Sequence, residues 1–142
     1  MDKRPVILIE DDVDDKIFLE DAFSALEVKH PLIWFDDCEE ARDYLFATNE
    51  IPFLILCDIN LPKQTGIELK REIQADEKLR KKSIPFVFYT TSDQSELVNE
   101  AYLQLNVQGY VQKSTDFKTM KRNIQTILDY WALCKHSNNT QN

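Results

Sequence analysis

Glycine is scarce in this chain: its 142 residues hold only Gly66 and Gly109. Neither sits in a GxGxxG or P-loop pattern, so the phosphate-cradling loops of nucleotide-binding folds have no counterpart here. Histidine is equally short, and His30 and His136 are too isolated to suggest a zinc site or a catalytic triad. The three cysteines, Cys38, Cys57 and Cys134, show no metal-ligand spacing and leave one unpaired. They read as reduced thiols, with Cys57 in the core. Positive charge is in deficit: 17 basic residues against 25 acidic ones give a net charge of −8. Nucleic-acid binding needs a basic footprint, so no nucleic-acid partner is expected. The same charge disfavours an anionic membrane surface. No apolar run approaches the ~20 residues that span a bilayer. Met1 to Pro5 leads straight into a strand-like run without a secretory pattern, so the expected location is cytoplasmic.

What is present is an alternation of strand and helix signals. An apolar content of 43% suits one globular domain. That domain is expected over residues 1–135, with a polar, disordered tail over 136–142. Apolar runs at 6–9, 32–35, 53–58 and 85–90, and a shorter one at 110–113, read as strands. Asp14 or Asp15 can cap a first helix whose apolar face carries Ile17, Phe18, Ala22, Phe23 and Leu26. Asp36 or Asp37 opens a short helix with Ala41, Tyr44 and Leu45. A third helix covers 66–74, with Ile67, Leu69 and Ile73 as its apolar positions. Ser92 or Asp93 caps a fourth, which carries Leu97, Val98, Ala101, Tyr102 and Leu105. The last helix runs from Asp116 to about Cys134. The basic stretch Lys78–Lys82 reads as a solvated loop, and Tyr130-Trp131-Ala132-Leu133 as core in preference to a docking patch. Five strands alternating with five helices predict a doubly wound parallel sheet.

Right-handed crossovers would place every strand's carboxyl end on one edge of that sheet. Asp11, Asp12, Asp58, Thr90 and Lys113 all fall there. Carboxylates within ~4–6 Å raise one another's pKa unless a cation compensates. A hard divalent ion takes oxygen ligands, and Mg²⁺ commonly combines one or two carboxylates with phosphate oxygens. Asp11, Asp12 and Asp58 therefore read as a Mg²⁺ site awaiting a phosphoryl group. Asp58 is the candidate nucleophile, since aspartate can form an acyl phosphate. Thr90 offers a hydroxyl donor and Lys113 a point charge for the phosphoryl oxygens. Each piece alone has a plainer reading. An Asp-Asp pair after a strand is a common helix cap, and a threonine in a strand is a β-former. Glu10, Asp14 and Asp15 are expected to be solvated or capping. Gly66, just after the Asp58 loop, is expected at a positive φ or a close backbone approach.

Together the segments Ile7-Leu8-Ile9-Glu10-Asp11-Asp12, Leu56-Cys57-Asp58-Ile59-Asn60-Leu61-Pro62-Lys63-Gln64-Thr65-Gly66, Phe88-Tyr89-Thr90-Thr91-Ser92 and Gly109-Tyr110-Val111-Gln112-Lys113 resemble the receiver domain of two-component response regulators. The likeness extends over about Lys3 to Trp131, and the stand-alone receivers are its nearest form. It implies a flavodoxin-like fold and phosphorylation of Asp58 by a histidine kinase or histidine phosphotransfer protein. It implies Mg²⁺ held directly by Asp12, Asp58 and the Asn60 carbonyl, with Asp11 acting through water. Thr90, the Thr91 amide and Lys113 would hold the phosphoryl group, and Thr90 and Tyr110 would form the switch. Output would pass to a downstream protein effector. A homodimer through the face of the fourth helix, fifth strand and fifth helix is a further possibility that the resemblance opens. Where the family usually has proline after the lysine, this chain has Ser114, which favours a trans bond there.

Two other functions compete. A degenerate receiver would bind partners without phosphorylation, and Ser114 is its only support. A Mg²⁺-dependent phosphohydrolase would use the same aspartyl nucleophile, but Ile59-Asn60 supplies no nearby general acid and the chain has no room for a substrate cap.

Overall fold

In the computed structural model, which describes residues 2–91, 99 and 108–134, each of the five apolar runs becomes a strand. These are β1 (Val6–Ile9), β2 (Leu32–Phe35), β3 (Leu54–Cys57), β4 (Phe86–Thr90) and β5 (Gly109–Gln112). They form one sheet in the order β2-β1-β3-β4-β5, with every pairing parallel. The chain winds outward in opposite directions from β1 and β3, which creates a crevice beyond their carboxyl ends. Ile9 is level with Cys57, so Glu10 and Asp58 leave the two central strands side by side. Thr90 is level with Gln112, which brings Lys113 to the same edge.

All residues of β1, β3 and β4 are buried, because helices cover both faces, and this is why those runs are continuously apolar. Alternate residues serve two cores. Ile7, Ile9, Ile55, Cys57, Phe86 and Phe88 face one cluster; Val6, Leu8, Leu54, Leu56, Val87 and Tyr89 face the other. The first is covered by α2 (Cys38–Ala47), α3 (Gly66–Ala75) and α4 (Glu77–Lys82), the second by α1 (Val13–Ala25) and α5 (Phe117–Leu133). This is the expected flavodoxin-like, doubly wound arrangement. Apart from Asn99, the helix expected from Ser92 or Asp93, including Tyr102, lies outside the described residues, as does the tail 136–142. Among the described residues no helix is long and apolar enough to cross a membrane.

Several local expectations are corrected. The cap of α1 is Asp12, whose Oδ1 accepts from the Asp14 and Asp15 amides at 2.9 and 3.2 Å. The helix thereby starts two or three residues earlier; of its expected apolar face Phe18, Ala22, Phe23 and Leu26 meet the core, with Leu19 fully buried beside them, and only Ile17, 45% exposed, does not. The basic stretch 78–82 lies within α4, where Asp76 caps the helix by accepting from the Leu79 amide. Leu79 is pinned in the first core, and the buried Lys82 Nζ donates to the Thr48 and Glu50 carbonyls at 2.8 and 3.3 Å. Tyr130 and Leu133 are not core: they are 57% and 85% exposed, and only Trp131 of that stretch packs against the second cluster.

Candidate functional site at the carboxyl edge of the sheet

Asp58 leaves β3 with its amide donating to the Ile9 carbonyl at 3.0 Å, which ties the ends of the two central strands together. The loop that follows turns back tightly, the Gly66 amide donating to the Ile59 carbonyl at 2.9 Å. Lys63 takes the left-handed conformation in this loop, at φ 68°. Gly66 does not; it is required by proximity. A Cβ there would stand 2.3 Å from the Asp58 carbonyl oxygen and 3.0 Å from Cys57 Sγ. Thr65 then starts α3 with a reciprocal capping box to Glu68, which anchors the far end of the loop.

Asp58 is only 8% exposed, and donors meet both of its carboxylate oxygens. Oδ1 accepts from the Ile59 amide at 2.7 Å and from Thr90 Oγ1 at 2.6 Å. Oδ2 accepts from Lys113 Nζ at 3.0 Å. The Lys113 amide donates to the Thr90 carbonyl at 2.7 Å, so the backbone itself fixes the lysine beside the threonine. The Lys113 ammonium also meets Asp15 Oδ2 at 2.9 Å and Glu10 Oε1 at 2.5 Å. One cation therefore sits among three carboxylates.

Electrostatics follow from that count. Burial works against the Lys113 charge, but bonds to Asp15 and Glu10 and the nearby Glu10 and Asp58 charges outweigh it and raise its pKa. Glu10 is pushed up to about 7, chiefly by burial, against the opposing pull of Lys113. Carboxylate oxygens of Glu10, Asp11 and Asp58 lie within 4.8 Å of one another. An all-oxygen set carrying excess negative charge is the donor chemistry that suits Mg²⁺.

The structure brings Asp11, Asp58, Thr90 and Lys113 to one crevice. Asp12 stands at its rim, outside the tight carboxylate group, with Oδ1 used in the α1 cap. Asn60 is exposed on the loop after Asp58. Thr91 follows β4 and is also exposed; its carbonyl accepts from the Tyr110 hydroxyl at 3.3 Å, while the Tyr110 ring packs on the first core. The Lys113–Ser114 bond is trans. Two expectations fail here. Glu10 is not solvated but 1% exposed, and Asp15 is not merely a surface or capping group, since it shares Lys113. Glu10 directly continues a fully buried strand, which was the available signal. Asp15 lies one turn into α1 from Asp11 and Asp12, so the helical period returns it to the crevice.

The family model of the response regulator receiver domain matches residues 6–125. The chain belongs to that family. Receiver domains are the signalling modules of two-component systems rather than classical enzymes. The response regulator Rcp1 of Synechocystis is 32% identical over 90% of this chain and 88% of its own length. The phosphorylated cyanobacterial phytochrome response regulator RcpA superposes with a TM-score of 0.83 at 29% identity, over 96% of this chain and 99% of that one. The Mn²⁺-bound form of Rcp1 superposes with a TM-score of 0.79 at 29% identity, over 94% and 98%.

Proposed function

We propose that this receiver domain accepts a phosphoryl group on Asp58 from a histidine kinase or histidine phosphotransfer protein, with Mg²⁺ as cofactor, and signals through protein contacts. The observation that carries this reading is the Asp58 carboxylate itself: nearly buried, met at both oxygens by Thr90 and Lys113, and bordered by further acids. Any buried carboxylate needs donors and a cation; a structural role does not call for the further acids crowded beside this one.

An Asp58 carboxylate oxygen attacks the phosphorus of a phosphohistidine. The new O–P bond forms as the P–N bond breaks, and the imidazole departs with that electron pair and regains a proton from solvent. Lys113 offsets the charge gathering on the phosphoryl oxygens, and the Thr90 hydroxyl exchanges its bond to Oδ1 for one to a phosphoryl oxygen. The Thr91 amide supplies another donor. Asp11, Asp12, Asp58 and the Asn60 carbonyl would hold the Mg²⁺, Asp11 through water; Asp12 retains Oδ2 for this role. When bound, the ion neutralises the crowded carboxylates and screens the incoming phosphoryl group. The Mn²⁺-bound form of the related Rcp1 supports this assignment.

The phosphoryl group adds about −1.5 to −2 charge at one point. As Thr90 follows it, the Tyr110 ring and its bond to the Thr91 carbonyl respond, which biases the face of β5 and α5. A shallow recess of about 360 Å³ between Tyr110, Gln112, Asn123 and Ile127 lies on that face and offers a landing place for an effector or a second copy.

The test is intact-mass spectrometry after incubation with acetyl phosphate and Mg²⁺. One phosphoryl adduct is expected, absent without Mg²⁺ and absent in Asp58→Ala. An unmodified wild-type chain, or an adduct that persists in the mutant, would overturn the assignment.

A further inference from the structure

The opposite edge of the sheet carries a second concentration of charge, which the phosphoryl chemistry does not use. A recess of about 280 Å³ lies between the end of α3, the helix α4 and the residues that enter β4 and β5. Ile73 and Ile84 give it apolar walls, and Lys70, Arg80, Ser83 and Gln108 give it polar ones. Lys70 is only 6% exposed, yet among the described residues its ammonium has no carboxylate or carbonyl partner; it lies 5.3 Å from the centre of the Phe86 ring. Burial alone drives its pKa down to about 8.

Two of the polar groups around it keep donors in hand. Arg80 spends Nη1 on the Gln74 carbonyl at 3.0 Å, and its guanidinium has further N–H groups. Gln108 Oε1 accepts from the Phe86 amide at 2.8 Å, which leaves the amide NH₂ end as a donor. No carboxylate lines the recess among the described residues, although acids outnumber bases 25 to 17 in the chain. A buried ammonium with no anion among the described residues is costly, and an anion from solution would relieve that cost.

We propose that this recess binds a small oxyanion, a phosphate or short carboxylate group, against Lys70 and Arg80. Its volume of about 280 Å³ suits a small group, with buried Lys70 and exposed Arg80 both lining it.

The experiment follows the Lys70 side-chain Cε resonances by NMR in the full Asp58→Asn chain without Mg²⁺, so that the phosphoacceptor crevice cannot answer for the recess. Inorganic phosphate and acetate are titrated separately at matched ionic strength. Saturable shifts, with the Lys70 titration midpoint moving upward, are expected for at least one of them. A response to phosphate alone assigns a phosphoryl ligand, and an equal response to acetate assigns a carboxylate. Arg80→Gln should weaken the apparent affinity roughly tenfold, the size of one lost charge-assisted contact. Lys70→Met should abolish saturable shifts at the Ser83 and Gln108 amides. Non-saturating shifts with both anions, the same in Arg80→Gln as in the parent, would mean screening only and would overturn the proposal. Phosphorylation of Asp58 is read separately by mass, so the two assignments stand or fall independently.

Discussion

Two lysines at opposite edges of one sheet show what burial does with and without partners. Lys113 and Lys70 are both largely withdrawn from water. Lys113 meets three carboxylates and its pKa rises; Lys70 meets an aromatic face and its pKa falls to about 8. The carboxyl edge is thus assembled around charge that compensates itself, whereas at the amino edge Lys70 has no compensating anion among the described residues. The lesson is that depth alone does not set a lysine's state; the count of acceptors around it does.

The contrast can be broken most severely at the carboxyl edge through Gly66. Alanine there would force a methyl group to within 2.3 Å of the Asp58 carbonyl. Gly66→Ala should cost about 3–5 kcal/mol in urea denaturation, at the large end of single-substitution effects. Gly109→Ala is the control, because its Cβ would meet Val87 at an ordinary 3.7 Å. Equal, small losses in both variants would show that the Asp58 loop is slack.

The next effect comes from removing the shared cation. Lys113→Met leaves Glu10, Asp15 and Asp58 facing one another, and should destabilise the chain by about 2–4 kcal/mol without divalent ions. Adding Mg²⁺ should recover part of that loss. An unchanged midpoint in chelator would mean that the three carboxylates are already relaxed in the parent.

Lys70→Met should act in the opposite direction, stabilising the anion-free chain by about 1–2 kcal/mol at pH 7. The gain has a defined pH window. The folded-state pKa lies near 8 against 10.5 in a model lysine. Between those values the unfolded chain holds more protons than the folded one, so parent stability rises with pH. The penalty is therefore complete below about pH 8 and relieved by about 10.5, and the advantage of Lys70→Met should shrink across that window. Thermal denaturation of both chains from pH 7 to 10.5 reads it, and an advantage that does not change with pH would refute the cause.

Much of this was legible from the residues. β1, β3 and β4 are short, continuously apolar and rich in branched side chains, because both faces are covered. The pair Asp36-Asp37 announces α2, with Asp37 the cap, and Asp116 announces α5, since an N-cap needs only a short acceptor side chain. Asp11, Asp58, Thr90 and Lys113 were readable as one group because parallel strands must present all their carboxyl ends on one edge. Less legible were elements whose pattern is weak. The α1 segment has acidic residues at several plausible cap positions, and only the geometry selects Asp12. In α4 a single apolar residue, Leu79, holds a charged turn in the core, which no periodicity over six residues can reveal.

The sequence by itself determined the strand–helix alternation, the acids and the cation at one edge, and the family to which they belong, because these follow from local pattern and from the handedness of crossovers. Tertiary structure alone decided that Glu10 and Asp15 join Lys113, that Gly66 is needed for contact and not for its φ, and that Lys70 is buried with no anion beside it among the described residues. Those outcomes depend on which side chains from distant segments share a space. Burial and charge pairing are properties of that shared space, and no residue carries them in its own identity.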